Sequence, residues 1–202
     1  MPTADAAKRL LRLTRRRGSI TRREVVDAGI HTHTLSRLVR SGALERVSPG
    51  RYRLPDAPIT ENHSLAIVAA AAPKAVVCLL SALSFHEIGT QLPHQVWIAV
   101  DRRSRAPTLA WPRLRVLRFS GAALSEGIET HRIEGEQVRV YGVPKTLADI
   151  FKYRNKVGLD VALEALREGW RARRFTMDEM HRYARVCRVE RVMRPYLEAL
   201  VG

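Results

Sequence analysis

The sequence predicts a mixed α/β chain of the α+β class in two parts: a small helical module closed by a β-hairpin, then a mixed α/β domain with a helical C-terminal portion. Three observations predict it. Residues 21–54, TRREVVDAGIHTHTLSRLVRSGALERVSPGRYRL, hold two short helical patterns that meet at Gly29 and run into a basic hairpin pattern. Pro55-Asp56-Ala57-Pro58 then interrupts the chain. Beyond it, short β-rich stretches mix with helical ones and give way to helical periodicity alone from Pro144 onward. The parts are read as residues 1–56 and 60–202.

In the first part, residues 4–17 read as a helix with Leu10, Leu11 and Leu13 as its apolar surface. Arg15, Arg16 and Arg17 complement the dipole at its C-terminus and could equally meet phosphates; Gly18 is the stop. Residues 21–28 form the second helix. Thr21 with Glu24 is a capping box, and Val25, Val26 and Ala28 are expected to face the core. Gly29 allows a tight turn. The third helix runs from about residue 32 to 41, burying Leu35, Leu38 and Val39. Its other face carries Thr32, His33, Thr34, Ser36, Arg37 and Arg40, with no acidic residue. Residues 44–54 alternate around the turn Pro49-Gly50, with Arg46, Arg51 and Arg53 outward and Tyr52 and Leu54 beneath. This is the pattern of a winged helix-turn-helix. A reading helix needs short donors and acceptors for base edges, and Arg for guanine or phosphate. Thr32, His33, Thr34, Ser36 and Arg37 are therefore the base-reading candidates. Arg40, Arg46, Arg51 and Arg53 are the phosphate candidates, joined by Arg22 and Arg23 on the second helix. A winged-helix scaffold that binds protein is the alternative.

In the second part, residues 64–72 read as a helix of small residues, 75–80 as a short apolar run and 81–88 as a helix. Residues 95–100, 114–119, 131–133 and 137–141 have strand composition. Pro144 opens a helix over 145–153. Residues 160–170 are amphipathic. Thr176 with Glu179 caps a helix to about Cys187, and 191–200 is the last, limited or kinked at Pro195.

Composition narrows the function. Lys+Arg number 35 against 20 Asp+Glu, a net charge of +15, and 30 of the cations are Arg. Such a surplus favours a polyanion, nucleic acid first. The two cysteines, Cys78 and Cys187, form no CxxC, so neither a zinc module nor a disulfide framework is expected. The longest apolar stretch, 65–72, is too short to span a bilayer, and the N-terminus lacks a signal-peptide pattern. The expectation is a cytoplasmic protein, nucleoid-associated when bound to DNA, with no membrane contact, cofactor or metal.

No catalytic residue is assigned. Walker, GxGxxG, GxSxG and HExxH patterns are absent. A PD-(D/E)XK-like nuclease would need acidic residues and an acidic-x-Lys on neighbouring strands to hold a divalent cation. Asp101, Glu129 and Glu134 lie near strands, but no ExK follows either glutamate. His86, Glu87 and His94, with Ser81 and Ser84 nearby, are read as structural. The C-terminal helices carry Arg182, Arg185, Arg188, Arg191 and Arg194 at every third position, with Arg171, Arg173 and Arg174 just before. Lys145 and Lys152 add cations on an earlier helix. These are read as a patch for phosphates or a partner, or as a solvated face paired with Glu179, Glu190 and Glu198.

Residues 20–54, with the run GIxxxTLxRLVRxGxLxRVxxGxYRL, resemble the N-terminal domain of the AbiEi-type antitoxins. The resemblance extends through SALSFHEIGTQLPHQVWIAV (81–100), LRVLRFS (114–120), GIETHRIEGEQVRVYGVPKTLADIFKYRNKVGLDVALEALREGW (127–170) and RYARVCRVERVMRPYLEAL (182–200) to an AbiEi-like C-terminal antitoxin domain. It implies a transcriptional regulator of a bacterial type IV toxin–antitoxin, or abortive-infection, locus. The winged helix would bind inverted repeats in double-stranded operator DNA and repress its own operon. The C-terminal domain would counter a nucleotidyltransferase toxin. A stand-alone transcriptional regulator and a module that binds the toxin directly are the alternatives.

Overall fold

In a computed structural model, residues 2–201 are described; Met1 and Gly202, the outer ends of the two predicted domains, lie outside them. The chain forms two compact units. One holds the chain up to Pro73 together with Arg132–Val138; the other holds Lys74–His131 and the chain from Arg139.

The first unit begins with α1 (Pro2–Arg17), β1 (Ser19–Thr21), α2 (Arg22–Asp27) and α3 (Thr32–Arg40). It continues with β2 (Glu45–Ser48), β3 (Arg51–Arg53) and α4 (His63–Ala71). The three strands form an antiparallel sheet in the order β1-β3-β2. β1 escapes sequence reading because three residues carry no alternation; its partners come from β3, with Ile20 opposite Tyr52. The capping box of α2 is present: Thr21 N–H donates to Glu24 at 2.7 Å, and Glu24 N–H donates to the Thr21 hydroxyl at 3.2 Å. Gly29, at φ +70°, turns the chain between α2 and α3, where Ile30 N–H donates to Val25 C=O at 3.0 Å. Leu10, Ile20, Val25, Ile30, Leu35, Leu38, Leu44 and Leu54 form one buried core. Val26 is not among them: it is 56% exposed, because Val25 already takes the inward position of this short helix.

The sequence places a division at residues 56–60, whereas the first unit continues through α4, which packs on β2. Proline marks a local turn, here Ala57 N–H to Leu54 C=O at 3.1 Å, and carries no information about which core the next helix joins.

The second unit carries β4 (Val76–Val77), α5 (Leu79–Phe85), β5 (Val96–Asp101), β6 (Leu114–Phe119) and α6 (Ala122–Ser125). They are followed by β7 (Ile128–Ile133), β8 (Glu136–Tyr141), α7 (Val143–Lys152), α8 (Arg154–Val157), α9 (Leu159–Arg171), α10 (Met177–Cys187) and α11 (Glu190–Val201). The five strands lie in the order β6-β5-β4-β8-β7, with the outer ends of β7 and β8 counted in the first unit. β5 is antiparallel to β4 and parallel to β6; β4 is parallel to β8. α7 lies within a large apolar core with Leu147, Ile150 and Phe151 fully buried. α10 ends where Arg188 enters the left-handed region at φ 59°. α11 continues through Pro195. The architecture is thus mixed α+β, as the sequence predicts.

Candidate nucleic-acid interface

The geometry of α3 decides what its polar face can do. Leu35 and Leu38 fix the inward stripe. Thr34 sits four residues before Leu38, so it falls on the same side and is 6% exposed. It leaves the set of base-reading candidates. His33, Ser36, Arg37 and Arg40 are exposed and Thr32 is half-buried. His31 starts the helix, its Nδ1 accepting from His33 N–H at 3.3 Å. The Ser36 hydroxyl donates to Thr32 C=O at 3.3 Å, a weak local bond that a stronger acceptor could replace. α3 contains no acidic residue, so its outer face presents donors and cations only.

The other first-unit arginines divide into two groups. Arg22, Arg23 and Arg46 are exposed, Arg23 lying 3.9 Å from Asp27 in a loose pair on α2. Arg51 and Arg53 are half-buried on β3 and held by carboxylates of the same unit. Arg51 pairs with Glu136 at 2.7 Å, and the Ser19 hydroxyl donates to the other Glu136 oxygen at 2.6 Å. Arg53 pairs with Glu45 and stands 3.7 Å from Glu134. Glu134 also accepts from Thr60 N–H at 2.8 Å and the Thr60 hydroxyl at 3.0 Å, and lies 2.6 Å from His63 Nδ1. The two arginines therefore build the hairpin. Only Glu45 is near in sequence; Glu134 and Glu136 lie about 80 residues downstream, so nothing local in RYRL announces them.

The two glutamates titrate in opposite directions. Burial pushes Glu136 above the ordinary carboxylate value, with Ser19 and Arg51 opposing it. Burial would also raise Glu134, but the Thr60 amide, His63 and the Thr60 hydroxyl outweigh it and hold the carboxyl below its usual value of 4.5. A depressed folded pKa means that the unfolded chain binds more protons below pH 4.5, so Glu134 contributes stability at neutral pH that is lost as pH falls through its folded pKa. Thermal melts from pH 7 downward should show a shallower acid loss in Glu134→Gln than in the parent. Identical slopes would remove Glu134 from this account.

In the second unit Arg171, Arg173, Arg174, Arg182, Arg185, Arg188, Arg191, Arg194 and Lys152 are exposed. Arg182 pairs with Glu126 at 2.9 Å, Arg194 lies 3.8 Å from Glu198, and Arg174 donates to His86 C=O at 3.2 Å. Glu179 is used in the capping box of α10. Lys145 leaves the patch: its side chain is fully buried, 2.5 Å from Asp149. It lies on the inward face of α7 with Asp149 one turn on, a pairing that the Lys-x-x-x-Asp spacing could have signalled. Asp149 in turn accepts from the Cys187 thiol at 3.1 Å, and burial pushes that thiol up to about 12. Asp101 closes a turn by accepting from Arg103 N–H at 2.8 Å, and Glu129 lies 3.2 Å from His131. Among the described residues no three His, Cys, Asp or Glu side chains cluster as metal ligands, and no helix is long and apolar enough to cross a membrane.

A helix pair with a sharp turn, a paired hairpin and an acid-free outer helix face thus lie together in the first unit. More particularly, residues 8–55 match the family model described as "Transcriptional regulator, AbiEi antitoxin", so the AbiEi resemblance read from residues 20–54 holds. The matched stretch runs from α1 past β3 and lies wholly within the first unit. No curated protein matches the chain.

Proposed function

We propose that the first unit is a winged helix-turn-helix that binds operator DNA and represses its own toxin–antitoxin operon. On this reading the second unit counters a nucleotidyltransferase toxin. The observation that carries the reading is the outer face of α3, cationic and free of acid, within the stretch that matches the regulator family. His33, Ser36 and Arg37, with Thr32 beside them, would read base edges in the major groove. Arg22, Arg23, Arg40 and Arg46 would hold phosphates. Arg51 and Arg53, occupied by carboxylates, would set the shape of the wing. The net charge of +15 supports a polyanionic target, which would draw the protein to the nucleoid within the cytoplasm. The toxin assignment rests on the word antitoxin in the family description and on the resemblance of the second domain.

The test is a gel-shift titration on the protein's own upstream region and on random duplex DNA at two salt concentrations. Arg37→Ala is expected to cost about 1–3 kcal/mol on the specific site and little on random DNA, the pattern of a guanine contact. Equal losses on both would make Arg37 a phosphate contact, and equal parent affinity for both would overturn the operator reading.

A further inference from the structure

We propose that the outer face of α9 is a self-complementary surface that pairs two copies of this chain on a two-fold axis. Asp160, Glu164, Arg167 and Arg171 follow one another at spacings of four, three and four. On a helix such spacings keep all of them on one stripe. Asp160, Arg167 and Arg171 are exposed and Glu164 is half-buried. The other side of α9, with Val161, Ala162, Ala165 and Leu166, is buried in the core of the second unit, so the charged stripe faces outward. A groove of about 640 Å³ runs along it, lined by the charged residues together with Leu163 and Glu168.

The charges are segregated along the stripe, acids toward the N-terminus of α9 and arginines toward the C-terminus. The helix dipole accounts for Asp160 in the first turn and Arg171 in the last, since its influence fades within a turn. It does not account for Glu164 and Arg167 in the middle. Bonds within the chain do not either: none of the four has an ion pair among the described residues, whereas Glu168 is taken by Gly89 N–H at 2.6 Å. Asp160 and Glu164 are like charges one turn apart, and so are Arg167 and Arg171, an arrangement that costs helix stability until opposite charges lie across it.

Their symmetry identifies the partner. The midpoint of the stripe falls between Ala165 and Leu166. Asp160 and Arg171 stand equally far from it, and so do Glu164 and Arg167. A second copy whose α9 runs antiparallel across the stripe therefore sets its Arg171 against Asp160 and its Arg167 against Glu164. The two-fold axis makes each contact twice. A parallel copy would oppose like charges, and a uniformly acidic or basic partner would meet half the stripe with its own sign. The net charge of +15 opposes association at long range, so the dimer is weak and depends on these local pairs. A two-fold dimer would also suit inverted repeats in the proposed operator. Self-association is measured without DNA, so either reading can fail alone.

The experiment is sedimentation equilibrium of the full chain at concentrations up to about 0.2 mM, enough to populate a dimer of micromolar affinity. The first series is run at about 0.1 M salt, where a Debye length of about 10 Å screens most of the net charge. The parent should show a monomer–dimer equilibrium, weakened about tenfold or more at about 1 M salt, where the Debye length is about 3 Å. Asp160→Arg/Glu164→Arg makes the stripe wholly basic, and Arg167→Glu/Arg171→Glu makes it wholly acidic. Each alone should weaken self-association at least about tenfold. Mixed in equal amounts, the two variants should dimerise with each other, a gain that misfolding cannot produce. Glu164→Arg and Arg167→Glu, which leave the helix ends unchanged, make the same test if either double variant melts early. A parent that stays monomeric throughout overturns the proposal. So does a dimer that both charge reversals leave intact, or an equal mixture of the variants that stays monomeric.

Discussion

Lys145→Met is expected to destabilise the protein by about 3–5 kcal/mol, the usual cost of stranding one member of a buried ion pair. For a chain of this size that lowers the melting temperature by about 10 °C. Lys145 and Asp149 are both fully buried one turn apart on α7, and the ammonium stands 2.5 Å from the carboxylate. The ammonium also lies 4.0 Å from the centroid of the Tyr141 ring and 5.1 Å from that of Phe119, so π-faces supply part of the solvation that water has lost. Burial already pushes Asp149 above the ordinary aspartate value, against the pull of Lys145 and the Cys187 thiol. Without Lys145 that carboxylate must either stay charged in an apolar core or take up a proton. Lys145→Met/Asp149→Leu should recover most of the loss, because removing both charges also removes both desolvation costs. Calorimetric melts of the three proteins decide it. A single variant that melts with the parent would mean that the pair contributes nothing to stability.

Gly135→Ala is expected to cost about 3 kcal/mol or more, by two mechanisms acting at one atom. Gly135 has φ +85°, a left-handed conformation that strains any L side chain. A Cβ there would also overlap the Arg17 carbonyl oxygen and lie 2.6 Å from Ser19 N. The obstruction is backbone, so no rotamer change relieves it. Relief would require the β7–β8 turn to withdraw from the α1–β1 junction, and Glu136 would then lose Ser19 and Arg51. Denaturant unfolding measures the cost. Gly29→Ala is the control: it shares a positive φ of 70°, but its added Cβ meets nothing within 4 Å, so only the conformational part, roughly 1–2 kcal/mol, should appear. Equal losses at the two glycines would show that the close approach contributes nothing.

The contrast between these positions also shows how much was legible before the structure. Thr21 and Glu24 stand three residues apart, and Leu35 and Leu38 share one face of a nine-residue helix. The interactions that specify α2, the Gly29 turn and α3 are therefore local, and periodicity exposes them. The same reasoning kept Thr34 on the outer face, because a small polar residue beside a buried Leu reads equally well inside or outside until the helix is docked. It treated Arg40 and Arg51 alike as phosphate contacts, since a guanidinium carries no mark of the carboxylate it will meet.

By itself the sequence determined that α2, the Gly29 turn, α3 and a basic hairpin lie in that order, and that α3 has an acid-free polar face. Helical spacing, capping and turn chemistry act over a few residues and need no distant partner. Only the tertiary structure decided that β1 exists, that Lys145 is inside and that Arg51 is held. It also revealed that Ser19 meets Glu136 from 117 positions away. Those outcomes depend on which segments are brought together and on the desolvation each buried charge then suffers, and neither quantity is a property of any short stretch of chain.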